Sequence, residues 1–183
     1  MWGRPIAQQY GDVVDFVGLC DIDTERFAKI DKRHPGITHY ADWREMFAKL
    51  GDGFDAVTVS TPDHHHFHAS MLAMRKGKHV YCQKPISHSI WEARRLAEVA
   101  VQTKVQTQMG NQAHAGEPIR RAVELLRAGI LGRVTEVHAW TNRPIWPQGP
   151  GLQFPEQPVP ADINWDVWQG TCATHRPYNA DIH

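Results

Sequence analysis

Asp55-Ala-Val-Thr-Val-Ser-Thr-Pro-Asp-His-His-His66 and, one helical stretch later, Lys78-His-Val-Tyr-Cys-Gln-Lys-Pro85 are the segments whose reading decides the fold of this 183-residue chain. Val57 to Ser60 and His79 to Cys82 are short runs rich in β-formers, and they flank an apolar helical face of Phe67, Met71 and Met74. Strand, helix and strand in that order predict a right-handed βαβ crossover. The turns Thr61-Pro62 and Gln83-Lys84-Pro85 then follow the C-terminal ends of two parallel strands. Both fall on the edge where open α/β sheets take ligands.

The pattern continues on either side. Pro5 to Tyr10 reads as the end of a helix, and Val13 to Cys20 as a strand that stops at Asp21. Asp23 or Thr24 caps a helix with Phe27 and Ile30 inward, Ile37 to Tyr40 is a short strand, and Asp42 with Glu45 opens a helix carrying Met46, Phe47 and Leu50. Ser89 and Glu92 form a capping-box pattern ahead of Ile90, Ala93, Leu96, Ala97 and Ala100, and Val105 to Met109 is the next strand. Pro118 in a first turn, Ile119, Ala122, Val123 and Leu126 at helical spacing, and Gly129 as a stop mark another helix. Arg133 to Trp140 reads as a strand built around Val134. Alternation of this kind predicts a doubly wound, mostly parallel sheet with helices on both faces.

Beyond Asn142 the character changes: seven of the twelve prolines and three of the seven tryptophans fall in residues 143–183. So long a stretch without periodicity is a functional loop or a piece that needs a partner, and the second is the expectation here. There is no internal repeat and no low-complexity tract.

Formal charge sums to zero, so no basic field argues for nucleic acid or an anionic membrane surface. No run of about 18 apolar residues is available to span a bilayer. Cys20, Cys82 and Cys172 are odd in number, lack metal-like spacing and read as core thiols. The first ten residues hold no apolar signal core. A cytoplasmic location is the default expectation, and the compartment is left open.

A Thr-Pro-x-x-x-His turn over Thr61, Pro62 and His66, an Ala-x-x-x-Gly-Lys-His-Val approach to the next strand over Ala73 to Val80, and the Lys-Pro turn at Lys84-Pro85 resemble the Gfo/Idh/MocA family of NAD(P)-dependent sugar and cyclitol dehydrogenases. Asp21 and the Gly110-Asn111-Gln112 run are similar to further landmarks of that family. The resemblance implies a Rossmann-like dinucleotide-binding unit over residues 1–132, lacking its first strand and glycine-rich loop, because the chain begins about where the first helix should end. It implies that residues 133–183 are the first strand and leading loop of an incomplete α+β substrate domain. An N-terminally truncated piece is therefore the expectation. Such a sheet exposes strand edges, which predicts aggregation, a homo-oligomer or a partner chain that covers them.

At the cofactor edge the resemblance implies that Asp21 accepts hydrogen bonds from the adenosine ribose and disfavours a 2′-phosphate, so that NAD is preferred over NADP. Asp21 as a plain helix cap is the other reading. Thr61, Pro62 and His66 are expected beside the nicotinamide ribose, with Gln83, Lys84, Pro85 and Gln112 completing the cofactor contacts. His64, His65 and His68 invite a metal reading, but zinc needs side chains converging from several directions. They are read as solvated loop histidines, with no metal.

For catalysis the resemblance points to Lys84, which in the family bonds the substrate hydroxyl and helps remove its proton during hydride transfer. A surface lysine in a tight turn would read the same. Pro85 restricts Lys84 to extended geometry and is a candidate for a cis bond. Gln83 stands where the family has glutamate, which drops a negative charge beside Lys84, so the chemistry is retuned or the site is degenerate. His114, Trp165, Trp168 and Arg176 are the remaining substrate candidates, the tryptophans as platforms for a sugar face. Buried tryptophans holding a loop down fit the same letters. The function expected is hydride transfer between a nicotinamide and a sugar or cyclitol hydroxyl, impaired or absent in this piece alone. The alternative is a non-catalytic nucleotide-binding or protein-interaction module.

Overall fold

Strand and helix alternate through the computed structural model, which describes residues 14–143 and 152–182. β1 (Gly18–Cys20) leads through a 3₁₀ turn, Thr24–Arg26, into α1 (Phe27–Asp31). There follow β2 (Thr38–Tyr40), α2 (Trp43–Leu50), β3 (Ala56–Val59), α3 (Asp63–Arg75), β4 (His79–Gln83), α4 (Ile90–Thr103) and β5 (Thr107–Gly110). A second 3₁₀ turn, Gln112–Ala115, precedes α5 (Glu117–Arg127), and α6 (Trp165–Gln169) sits in the last segment. The expected helix end at Pro5 to Tyr10 and Val13 lie outside the described residues, and the strand expected over Val13 to Cys20 is shorter than read, since Val14 to Val17 are not strand.

The named strands pair in parallel, β1 with β2 and β3 with β4 with β5. Among the described residues β1 and β3 each keep one edge without a strand partner. A cleft of about 1400 Å³ is lined by both, with Val17, Gly18 and Leu19 on one wall and Val57, Thr58 and Val59 on the other. The gap falls where a strand between β1 and β3 would pair with each of them. This is a Rossmann-like parallel α/β fold in which, among the described residues, no strand fills the place between β1 and β3.

The core lies around the three-stranded sheet. Val59, Val80 and Cys82 meet Ala69, Ala73 and Met74 of α3, Leu96 and Val99 of α4, and Phe47 of α2. Phe47 meets Phe54 edge-on, with ring centroids 5.3 Å apart. At the end of α3, Gly77 takes φ +72° and lets the Lys78 N–H reach back to the Ala73 carbonyl at 2.9 Å, a left-handed stop that a side chain resists.

Several expectations need correction. In α4 the inward stripe is Leu96 and Val99, while Ile90 is 78% exposed and Ala97 is exposed. The buried face is thus rotated by about one residue, since Ile90 and Ala97 share a stripe seven positions apart. Helix α5 forms as read, with Gly129 at φ +75° just past its end, but its Ile119, Val123 and Leu126 remain exposed. Arg133 to Trp140 forms no strand, and Val137 and Trp140 are 82% and 87% exposed. A strand is held by its neighbours, and no described strand lies beside this one. Cys82 is buried, but Cys172 is exposed and not a core thiol.

Candidate functional site

Pro62, with ψ at 152°, precedes the first turn of α3, so His64, His65 and His66 lie in the helix and not in a loop. This corrects the solvated-loop reading: His65 and His66 are 6% and 1% exposed. His66 Nε2 lies 2.8 Å from the Thr61 carbonyl and Nδ1 lies 2.5 Å from the Pro85 carbonyl. It therefore ties the turn after β3 to the turn after β4. With both nitrogens used and the ring buried, it has no group left for a cofactor, contrary to its expected role. Among the described residues no group of three or more His, Cys, Asp and Glu is placed to hold a metal ion.

Thr61 Oγ1 is buried without a hydrogen-bond partner among the described residues, and Thr61 and Pro62 line the cleft. A buried hydroxyl in that state is costly unless a ligand or water completes it. The Lys84–Pro85 peptide is cis, and the Lys84 side chain is exposed.

At the exits of β4 and β5 a small amide network forms. Gln83 Oε1 accepts from the Lys84 backbone N–H at 3.0 Å and from Gln112 Nε2 at 3.1 Å, and Gln112 Nε2 also lies 3.2 Å from the Tyr81 hydroxyl. Gly110 leaves room for this network, since a Cβ there would stand 2.3 Å from Gln83 Oε1 and displace that amide. Gln83 thus shapes the Lys84 turn by accepting two hydrogen bonds, which an amide oxygen does without carrying charge. His114 is exposed, and its backbone N–H closes a turn on Asn111.

Asp21 ends β1. Its Oδ1 accepts the Asp23 N–H at 3.1 Å and its side chain is 38% exposed on the cleft. The cap of the following turn is Asp23, which accepts the Glu25 N–H. Arg26 binds Asp23 Oδ2 at 2.7 Å and approaches Asp21 Oδ2 at 4.0 Å. The bond to Asp23 raises the guanidinium further above its ordinary range. Arg26 also lines the cleft, and sequence reading missed it; a basic residue a few positions past a strand-end acid was the available signal.

The last segment docks on this same edge. The Thr24 N–H donates to the Asp162 carbonyl and the Asn164 N–H to the Ile22 carbonyl, both at 3.0 Å. His64 and His65 Nε2 converge on the Trp168 carbonyl at 2.6 and 2.8 Å. Trp165 is 7% exposed, stacks on Trp168 at 4.5 Å, and donates its indole N–H to the Arg176 carbonyl at 2.8 Å. It packs the loop and offers no open face, so its expected role as a sugar platform is withdrawn. Trp168 is half-buried and lines the cleft; Arg176 is exposed. The structure thus gathers Asp21, Thr61, Pro62 and Trp168 around one cleft and joins Lys84's turn to it through His66. His114 and Arg176 are not among its lining residues.

Residues 3–111 match the family model described as an oxidoreductase family with an NAD-binding Rossmann fold, Gfo/Idh/MocA. The chain belongs to this family. It is 26% identical over 140 residues to D-xylose 1-dehydrogenase [NADP(+)] of Haloarcula marismortui, a match covering 76% of this chain and 39% of that protein. The crystal structure of myo-inositol 2-dehydrogenase from Lactobacillus plantarum superposes with a TM-score of 0.60 at 23% identity, over 66% of this chain and 35% of the other. An inositol dehydrogenase homolog from Azotobacter vinelandii, complexed with NADH and myo-inositol, is 29% identical with a TM-score of 0.50, over 61% and 31% of the two chains. The chain thus spans about a third of these relatives' length.

Proposed function

We propose that this chain supplies the cofactor edge of a nicotinamide-dependent oxidoreductase that transfers hydride between the cofactor and a hydroxyl of a sugar or cyclitol. The observation that carries the reading is that Asp21, the Thr61-Pro62 turn with its unpartnered buried hydroxyl, and the Lys84-Pro85 turn stand at the C-terminal ends of parallel strands. These residues fit a ribose-bearing nucleotide: a part-exposed carboxylate to accept ribose hydroxyls, and a hydroxyl that lacks a partner. The nicotinamide, when bound, accepts or gives up the hydride. Lys84 bonds the reacting hydroxyl and exchanges its proton, Pro62 lines the cleft, and Gln83, Pro85 and Gln112 shape the Lys84 turn beside it. Trp168, which lines the cleft, contacts the substrate, and the exposed His114 and Arg176, outside the cleft lining, are assigned to the part of the substrate that extends beyond it.

NAD is the cofactor this reading prefers, because the Asp21 carboxylate repels a 2′-phosphate. The NADH in the Azotobacter vinelandii structure agrees with that preference, and the NADP(+) dependence of the Haloarcula marismortui enzyme points the other way. Residues 133–183 are taken as the beginning of the substrate domain, which fits the docking of 152–182 over the sheet edge.

Titration of the chain with NADH and NADPH, followed by nicotinamide fluorescence and thermal shift, tests the reading. Saturable NADH binding, weakened about tenfold or more by Asp21→Ala, is expected, since a hydrogen bond to a charged group is worth roughly 1.5–3 kcal/mol. Where a polyol substrate is turned over, Lys84→Ala lowers the rate by about 10²–10⁴. Folded protein that binds neither nucleotide refutes the proposal. That outcome favours the second reading, a protein-interaction module, to which the exposed apolar face of α5 lends support.

A further inference from the structure

We infer that His66 is held as an imidazolium, donating from both ring nitrogens to the carbonyls of Thr61 and Pro85, and that it is the positioning residue that sets the Lys84 turn against the Thr61-Pro62 turn. A carbonyl oxygen only accepts, and a neutral imidazole carries one N–H. At 2.8 Å from Thr61 O and 2.5 Å from Pro85 O, a neutral ring would leave one nitrogen lone pair facing an oxygen lone pair. Two N–H groups satisfy both contacts, and the link between the two turns exists only in that form.

A buried charge needs compensation, and the surroundings provide it. Burial lowers the ring's affinity for its second proton, but Cys82 of β4, whose attraction counts in full only as the thiolate, and the Pro85 and Thr61 carbonyls outweigh it and push His66 up to about 9. Cys82 is the titratable group that faces the ring from the sheet; on its own helix stand Asp63, His64, His65 and His68, and Lys84 stands on the turn it holds. No carboxylate contributes to the upward push. His66 is 1% exposed and does not touch the cleft, so its effect on ligands passes through the two turns. In its consequence for catalysis the inference rests on the proposed function; in its geometry it does not.

Long-range proton–nitrogen NMR spectra of the labelled chain, with the His66 ring assigned through His66→Gln, test the inference directly. At about pH 7.5 both His66 ring nitrogens are expected in the protonated range while the adjacent His65 is neutral. The link is present in full below the ordinary histidine value of 6.5 and is lost as the pH rises through about 9. In His66→Leu the Lys84 amide is expected to exchange about tenfold faster or more, with amides inside α4 unchanged. A neutral His66 ring at about pH 7.5, or unaltered Lys84 exchange in a folded His66→Leu protein, overturns the inference. If the variants do not fold, the ring state in the unaltered chain, assigned there by through-bond correlation from the His66 backbone amide to its ring, decides the matter. Failure of that chain to bind NADH overturns the proposed function and leaves the ring-state result standing.

Discussion

His65 and His66 are adjacent in α3, yet the same burial ends in opposite protonation states because their partners differ. His65 donates Nε2 to the Trp168 carbonyl, which one N–H satisfies, and burial with His64 and His68 nearby lowers its pKa. The unfolded chain then binds the extra proton more readily than the folded one. The stabilisation is full above the ordinary value of 6.5 and falls as the pH drops below it. Amide exchange across residues 162–170, corrected for its intrinsic pH dependence, should be faster at about pH 5 than at about pH 7; equal protection would refute the role given to His65. Gly170 lies against this ring with φ at +52°, and a Cβ there would stand 2.2 Å from His65 Cε1. Gly170→Ala should therefore cost about 1–3 kcal/mol in denaturant unfolding. Lys84-Pro85 and Asp21 were legible as motifs because their neighbours along the chain carry the signal. The contact of His65 with Trp168 and Gly170 was not, because it joins residues about a hundred positions apart.

Elements whose cues are local came out of the sequence well. Ser89 Oγ accepts the Glu92 N–H at 3.3 Å and the Glu92 carboxylate accepts the Ser89 N–H at 3.0 Å, so the capping box read from spacing is present at the start of α4. Ser89→Ala should lower stability by about 1 kcal/mol, read as a shifted denaturant midpoint at unchanged slope. No change would mean that α4 is held by Leu96 and Val99 alone. Asp42 likewise caps α2 by accepting the Arg44 N–H at 2.8 Å, and the Arg44 guanidinium on the same carboxylate holds the Asp42 carboxyl below its usual range. Helix α5, with its proline start and glycine stop, forms even though its apolar face is left uncovered. Arg133 to Trp140 has comparable apolar content and does not become a strand, because β-structure depends on partners that spacing along the chain cannot supply.

Two parallel sheets separated by a cleft give the molecule an uneven distribution of stability. Only β4 is flanked on both sides by strands among the described residues, with β3 and β5 in register along it, and the largest buried cluster packs around it. β1 has β2 on one side and the cleft on the other. Local opening costs least where few apolar contacts and few ladder bonds must break. Amides of β4 from Val80 to Cys82 should therefore be the slowest to exchange, and those of β1 from Gly18 to Cys20 faster by about tenfold or more. On the proposed function a nucleotide at Asp21 would bind the folded edge alone, so saturating NADH should slow exchange in β1 while leaving β4 nearly unchanged. Equal protection of β1 and β4 without nucleotide would mean that the two sheets are joined in solution, and the cofactor edge would then be rigid before the ligand arrives.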